Sequence, residues 1–240
     1  MGDQTASACE AEIAANLGPE IYAKWRASEL GSITEGLEDR LLFDFIGDPN
    51  DRDVLDIGCG DGTFALTLAS RGGRVSGVDA SPAMIVAATQ RARAAGDAIS
   101  FQQGRAQELP FGDAQFDIVV AKTIFCFVDD PTGSFAEISR VLRPGGRLVI
   151  GELGRWSFWA LHRYLRGKFG SPLWRRGHSW TAGQLSGFAR GAGLQVTGIR
   201  GAVYFPRSRI AARLMAGFDS RLGRLTLFGA AFIAMAARKP

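Results

Sequence analysis

The chain has 240 residues, of which 46% are hydrophobic and 22% charged, and this is the composition of a globular protein with a core of its own. No apolar run reaches the ~18 residues that a membrane span requires. The first ten residues are too polar and acidic for a signal peptide. The three scattered cysteines favour a reducing compartment and argue against a metal site. We therefore expect a cytoplasmic protein without a metal centre.

The charge is unevenly distributed along the chain. Residues 1–150 carry 13 Lys and Arg against 22 Asp and Glu, a net of −9, whereas residues 151–240 carry 15 against 2, a net of +13. This division indicates that the C-terminal part faces an anionic substrate, a lipid surface or a nucleic acid. An arginine-rich composition with solvated faces is the alternative.

The first 50 residues predict a helical cap. Tyr22 and Trp25 are three positions apart and lie on one face of a short helix. A second helix follows, with apolar residues at helical spacing and with Ser32 or Thr34 as its N-cap.

A nucleotide site is predicted where the first strand, residues 54–57, ends. The strand carries Asp56 and runs into a loop with Gly58 and Gly60 before a helix begins. Glycines let the backbone approach a ligand, and the helix start presents free N–H groups to it. A dinucleotide fingerprint requires a third glycine where this chain has Thr63, and Asp56 would repel a pyrophosphate. The loop therefore favours a ligand with a positive charge and a ribose; an ordinary strand–turn–helix is the alternative.

The second strand, residues 74–78, ends at another acid, Asp79. It lies 23 positions after Asp56, close to the ~20 residues at which an acid meets a ribose in βαβ nucleotide sites. Its two oxygens suit both ribose hydroxyls, with a solvated carboxylate as the alternative. Ser81 is the predicted N-cap of the next helix, and Met84 lies in its first turn.

Three further strands continue the alternation. The third spans residues 98–103. The fourth, residues 116–121, is a continuous apolar run suited to a strand buried on both faces, and it leads to Lys122. The fifth, residues 147–153, follows a helix stop and tight turn at residues 144–146.

Together these motifs resemble those of class I S-adenosylmethionine-dependent methyltransferases, in particular the type 11 methyltransferase domain. The longest match runs from Glu137 to Gly146 as Glu-x-x-Arg-Val-Leu-x-Pro-Gly-Gly, and recognisable motifs cover about residues 21–155. The resemblance implies an α/β fold with a Rossmann-like seven-stranded sheet, its last strand antiparallel, and helices on both faces. An N-terminal helical cap, residues 1–50, would precede a methyltransferase domain over residues 51–240, with an inserted helix after strand five.

The resemblance also implies S-adenosylmethionine as cofactor and a set of contacting residues: Asp56, Gly58, Gly60, Asp79, Ala80, Met84, Arg105, Ala106, Lys122 and Tyr22. Tyr22 would lie against the cofactor and Met84 against its adenine, although core packing is an alternative for both. The family usually carries an acid at the position of Arg105. Here the backbone of Arg105 and Ala106 would contact the adenine, or the guanidinium would stack on it. Lys122 would adjoin the methyl group or hold an anionic substrate, or it is a surface lysine.

Residues 155–180 interrupt the strand–helix alternation with a basic, tryptophan-bearing amphipathic helix. Its apolar stripe consists of Phe158, Leu161, Leu165 and Phe169. Arg163 and Arg166 are expected to point elsewhere. This pattern is typical of an interfacial membrane helix or of a lid over an apolar substrate pocket, with packing on the sheet as the third possibility.

The last part of the chain predicts two more strands, residues 194–202 and 225–236, separated by a basic helix over residues 206–222. His178 lies where the insertion meets the strand ends, which makes it a candidate general base. A lone histidine in a loop is more often without such a role.

The implied reaction is in-line attack by a nucleophile on the sulfonium methyl of S-adenosylmethionine, with His178 and Lys122 as candidate catalytic residues. Aligning donor and acceptor can itself lower the barrier by ~7–11 kcal/mol. The charge distribution favours a small-molecule or lipid-like, anionic acceptor and a peripheral membrane contact over tRNA or protein. The alternatives are a non-catalytic binding or regulatory protein of the same fold and a nicotinamide oxidoreductase, which Thr63 disfavours.

Overall fold

The computed structural model describes residues 18–128, 130–171, 174–175 and 177–240. Most of the predicted lead-in over residues 1–18, with Cys9, lies outside these residues. Within them, none of the helices has the length and apolar character needed to cross a membrane.

A single mixed sheet organises the described part of the chain. Its strands are β1 Asp53–Ile57, β2 Arg74–Asp79, β3 Ser100–Gln103, β4 Phe116–Lys122, β5 Leu142–Leu153, β6 Gln195–Ala202 and β7 Phe232–Arg238. They lie in the order β3-β2-β1-β4-β5-β7-β6. The pairs among β1 to β5 are parallel, and β7 runs antiparallel to both β5 and β6. The predicted seven-stranded sheet with an antiparallel last strand is confirmed.

Helices cover both faces of this sheet. They are α1 Pro19–Ala27, α2 Glu29–Ile46, α3 Thr63–Ala69, α4 Pro82–Ala95, α5 Pro131–Val141, α6 Phe158–Lys168, α7 Ala182–Gly191 and α8 Arg209–Leu225. Because successive strand residues point to opposite faces, Leu55 and Ile57 join a core under α5 and α7, whereas Val54 joins a second core under α2, α3 and α8. The central strand β4 is apolar over residues 118–121 because both of its faces are buried, whereas the edge strand β3 is mostly polar and exposed.

Several predicted helix and strand boundaries were wrong. The fifth strand begins at Leu142 rather than at residue 147, because α5 already ends at Val141. The N-cap of α2 is Ser28, whose Oγ accepts a hydrogen bond from Gly31 N, while the Thr34 hydroxyl donates to Leu30 O. The seventh strand begins at Phe232 rather than at residue 225, since α8 continues to Leu225. The helix α2 also packs against β5, β6 and β7, so it belongs to the helical layer on the sheet; the division at residue 50 stays a prediction.

The amphipathic helix predicted within residues 155–180 is present as α6, but its apolar stripe does not pack on the sheet. The stripe is exposed in full, and the buried face consists of Trp159, Ala160, Arg163 and Gly167. The indole N–H of Trp159 donates to Phe205 O at 2.7 Å and fixes this orientation. Arg163 lies off the apolar stripe, as expected, and its side chain is buried.

Candidate active site

A cavity of about 710 Å³ opens at the carboxyl ends of β1, β2 and β4. The strand order reverses between β1 and β4, and crevices at such a reversal are the usual ligand sites of open α/β sheets. Residues of α1, α2 and α6 form the other walls of the cavity. All the residues predicted to contact a cofactor line it.

The glycine loop after β1 forms the floor of the cavity. Gly58 N donates to Val78 O at 2.7 Å. Gly58 has a φ of +67°, and a Cβ there would collide with the Ile124 side chain. Gly60 has a φ of +52° and open space where a Cβ would lie. The loop therefore needs glycine both for its turn and for the close approach of a ligand.

Asp79 lies at the end of β2, directly beside this loop. Its Oδ2 accepts a hydrogen bond from Gly60 N at 2.9 Å, and its Oδ1 accepts one from Ser81 N at 2.9 Å. Burial raises the pKa of this carboxyl, and the two backbone N–H groups oppose the shift. Each carboxylate oxygen keeps a further acceptor position, so Asp79 is oriented and able to accept two hydroxyls.

Asp56 is 2% exposed, and its Oδ2 has no hydrogen-bond partner within the described residues. Burial, and then the charge of Asp79, raise the pKa of Asp56 to about 8. A buried acceptor without a donor is unfavourable unless a ligand supplies one. A ligand with an ammonium group and a ribose fits this pair of carboxylates.

Thr63, at the position where a dinucleotide site has glycine, belongs to a polar network. Its hydroxyl donates to Asp61 Oδ1 at 2.9 Å and accepts from Arg91 NH1 at 2.8 Å. Asp61 also forms an ion pair with Arg26 of α1. The network ties α1 to the glycine loop and holds Tyr22 over the cavity.

Comparison with known proteins agrees with this geometry. Residues 55–150 match the methyltransferase domain family. A demethylmenaquinone methyltransferase of Deinococcus radiodurans is 44% identical over 103 residues, 42% of this chain and 43% of that protein. A ubiquinone biosynthesis O-methyltransferase of Pseudomonas aeruginosa is 30% identical over 165 residues, 65% of this chain and 70% of that protein.

The chain belongs to the S-adenosylmethionine-dependent methyltransferases. The match to the Deinococcus enzyme spans less than half of that protein's length. A solved structure from Thermotoga maritima, described as a methyltransferase of this kind and a possible histamine N-methyltransferase, shares the fold. Its TM-score is 0.72 at 22% identity, covering 95% of this chain and 99% of that one. The predicted family, fold and cofactor are confirmed, and the oxidoreductase alternative is wrong.

Lys122 of the methyltransferase lies in the cavity wall, but two carboxylates of α2 already engage it. Its Nζ is 2.6 Å from Asp39 Oδ1 and 3.4 Å from Glu38 Oε2. Burial alone would lower the pKa of Lys122, but Glu38, Asp39 and Glu35 outweigh it and raise that pKa. The ammonium therefore stays protonated and neutralised, which suits neither a general base nor an anion-binding group.

His178 is not among the residues that line the cavity. Its ring is exposed and stacks on Trp180, with 5.7 Å between the ring centroids, and its backbone N–H donates to Cys126 O at 2.9 Å. The structure therefore gives no support to His178 as a general base, because its imidazole lies against Trp180 on the protein surface.

Sequence reasoning missed the second half of the cavity. Aromatic side chains form its walls: Trp25 and Trp159 meet edge to face with centroids 6.0 Å apart, and Trp174 lies beside Phe127. Arginines from α6 and the loop before α8 complete this half, namely Arg163, Arg166 and Arg207. The spacing of Trp159 and Arg163, four positions apart on one helix face, is the signal that was available.

Arg163 stands out among these arginines. It is 8% exposed, its Nε has no hydrogen-bond partner, and its NH2 lies 3.5 Å from Gly154 O. No ion pair joins it to a carboxylate in the part of the chain that the structure describes. Its guanidinium carbon lies 5.7 Å from the ring centroid of Trp174. Burial lowers the pKa of Arg163 to about 10, against the weaker opposing effects of Cys126, Glu38 and Glu152. Within the described residues, a buried positive charge therefore faces this half of the cavity with no carboxylate in ion-pair contact.

Proposed function

We propose that this methyltransferase transfers the methyl group of S-adenosylmethionine to a small amphiphilic acceptor that carries an anionic group. The proposal rests on the buried guanidinium of Arg163, which forms no ion pair with a carboxylate among the described residues, because a charge in that position is unfavourable until an anion joins it. Arg166 and Arg207 line the same region, and Arg166 contributes to the lowered pKa of Arg207 after partial burial. Because the positive charges of Arg163, Arg166 and Arg207 repel one another, this region of the cavity favours binding of an anionic group.

The half of the cavity beside β1 and β2 would hold the cofactor. Asp79 accepts the ribose hydroxyls, and Asp56 accepts from the ammonium of the methionine part. Met84 and the backbone at Ala106 contact the adenine, and Tyr22 of α1 closes the site. When bound, S-adenosylmethionine supplies a methyl group on a positively charged sulfur. The unpaired Oδ2 of Asp56 and the aligned carboxylate of Asp79 support these roles.

The aromatic walls would hold an apolar ring or chain of the acceptor. Trp25, Trp159 and Trp174 supply flat faces and edges that favour aromatic and prenyl-like groups. Relatives named for menaquinone and ubiquinone biosynthesis support an acceptor of this lipid-like kind. The three tryptophans and the three arginines together select an acceptor with one apolar and one anionic end.

The chain contributes to the reaction chiefly by orientation and by excluding water. A thiolate or amine acceptor needs no base. For a hydroxyl acceptor, Glu38, one of several carboxylates in the cavity wall, would take the proton. Burial raises the pKa of Glu38 to about 7, against the opposing charge of Lys122, and a base with such a pKa works near neutral pH.

Release of S-adenosylhomocysteine, converted enzymatically to homocysteine, tests the proposal with acceptors in matched pairs. The four acceptors are a hydroxybenzoate and the corresponding hydroxybenzamide, each with and without a prenyl chain. The acid and the amide differ in the anionic group, and the prenylated and unprenylated compounds differ in the apolar chain. We expect the prenylated carboxylate to give the highest kcat/KM. Equal turnover of acid and amide would refute the anionic acceptor. The assigned cofactor site would be refuted if the protein methylated none of these acceptors and also failed to bind S-adenosylhomocysteine.

A further inference from the structure

An apolar ridge lies on the outer surface of the protein, away from the cavity. It is formed by large side chains of α6, α8 and the residues beside them, each between 42% and 82% exposed: Trp156, Phe158, Leu161, Leu165, Phe169, Ile210, Leu214, Phe218, Leu225 and Phe228. Soluble proteins rarely expose so many large apolar side chains on neighbouring elements without using them.

The two helices that carry the apolar ridge are joined at both ends of α8. Before α8, Phe205 O accepts from the Trp159 indole of α6, and the Arg207 guanidinium carbon lies 5.1 Å from the Trp159 ring centroid. After α8, Gly229 N donates to Trp156 O at 2.8 Å. This last bond brings Phe228, at the end of one apolar stripe, next to Trp156, at the start of the other. The ridge is therefore one surface rather than two separate patches.

The exposed charges that residues 151–240 contribute to this surface are of one sign, although Glu29 of α2 forms an ion pair with Arg213 on α8. The only acidic residues within 151–240 are Glu152 and Asp219, and both are buried. Glu152 accepts from Phe125 N, and Asp219 accepts from Val203 N and Tyr204 N. All the exposed Lys and Arg side chains that the structure describes in this part of the chain are therefore without acidic neighbours from the same part.

Basic residues accompany the apolar side chains on both helices. Lys168 follows Leu165 by three positions at the end of α6, and Arg221 lies three positions after Phe218 on the exposed side of α8. Arg224 follows in the next turn. Aromatic and aliphatic side chains at the centre with Lys and Arg beside them are the features of a surface that sits in the headgroup region of an anionic bilayer.

We propose that the apolar ridge docks the methyltransferase on an anionic membrane surface. A protein partner or a second copy of the chain would satisfy the apolar side chains alone, whereas anionic lipid also complements the exposed Lys and Arg side chains of α6 and α8. The opposite face of α6 carries Trp159 and Arg163 in the cavity wall. Docking would therefore place the cavity beside the bilayer. The proposal stands on the surface alone and does not depend on which acceptor is methylated.

Vesicle flotation tests the proposal with the full chain. Vesicles of phosphatidylcholine mixed with phosphatidylglycerol are compared with vesicles of phosphatidylcholine alone. The apolar variant is Leu161→Ser with Phe218→Ser, and the charge variant is Lys168→Glu with Arg221→Glu. Their matched controls lie on α4, where Val86→Ser changes an exposed apolar residue and Arg93→Glu reverses an exposed charge. Binding of S-adenosylhomocysteine by every variant verifies that it is folded.

We expect wild type and both controls to float with the anionic vesicles and not with the neutral ones. The charge variant should bind the anionic vesicles at least about fivefold more weakly for each basic residue removed, and the apolar variant should lose flotation. Equal flotation of wild type and both ridge variants would overturn the proposal. So would the absence of wild-type flotation. A dimer in light scattering that the apolar variant abolishes, without vesicle binding, would assign the ridge to a second copy instead.

Discussion

Replacing Arg163 by methionine separates its effect on stability from its effect on the acceptor. In the folded protein, burial lowers the pKa of Arg163 from its ordinary value to about 10. Arg163 binds its proton more weakly in the folded state than in the unfolded state. Its charge therefore lowers the free energy of unfolding at every pH below the folded-state pKa, and this destabilisation disappears as the pH rises past the unfolded-state pKa. Each pKa unit corresponds to about 1.4 kcal/mol, so the charge of Arg163 destabilises the fold at neutral pH by at most about 3 kcal/mol.

Methionine has a similar length, carries no charge and fills irregular space. The variant loses the contact with Trp174 and the long hydrogen bond to Gly154 O, which together offset part of the gain. We expect Arg163→Met to raise the free energy of unfolding by about 1–2 kcal/mol. For a chain of this size that is a rise in Tm of roughly 2–8 °C, measured by calorimetry at neutral pH.

The same substitution should damage acceptor binding. A hydrogen bond to a charged group contributes about 1.5–3 kcal/mol, so KM for the anionic acceptor should rise roughly 10- to 100-fold. Affinity for S-adenosylhomocysteine should not change, because Arg163 lies in the aromatic half of the cavity. Arg155→Met, an exposed arginine just before the same helix, is the control. A destabilised Arg163 variant with an unchanged KM would refute the reasoning and make this arginine structural.

Three further substitutions probe the site and its surroundings. Gly58→Ala should destabilise the fold by about 2–4 kcal/mol in urea denaturation, because φ is +67° and the new methyl meets Ile124; an unchanged midpoint would contradict this. Lys122→Met should destabilise by about 2–3 kcal/mol, since Glu38 and Asp39 both lose their countercharge, and Glu38→Gln in the same chain should restore part of that loss, because the ion pair of Asp39 is still missing. Burial raises the pKa of Glu152 to about 8; stability should therefore fall as pH rises from about 4.5 to about 8, and Glu152→Gln should flatten that fall in denaturation at both pH values.

The half of the cavity beside β1 and β2, which we propose holds the cofactor, could be predicted because its residues follow from local rules. Asp56, Gly58 and Asp79 stand at the ends of two neighbouring parallel strands, and the topology brings such ends to one edge of the sheet. The parallel topology could be predicted from the apolar strands, since a strand that is buried on both faces has a continuous run of apolar residues in the sequence. Spacing along the chain was sufficient information for this half.

The acceptor half could not be predicted in the same way. Which face of α6 turns inward depends on the contacts of Trp159 with Trp25 and Phe205, which are distant in sequence. An apolar stripe ordinarily marks the buried face of a helix, and here the stripe is exposed. The placement of the His178 ring against Trp180 could not be predicted for a related reason, since a position in a loop says nothing about the direction of a side chain.

Calorimetric titration with S-adenosylhomocysteine tests the assignment of the cofactor half most directly. We expect one binding site per chain in wild type, and at least about 10-fold weaker binding in Asp79→Asn, because an amide cannot accept from Gly60 N and Ser81 N and also from two hydroxyls. Urea denaturation of both proteins shows whether the variant is folded. Equal affinity in wild type and a folded Asp79→Asn protein would contradict the account.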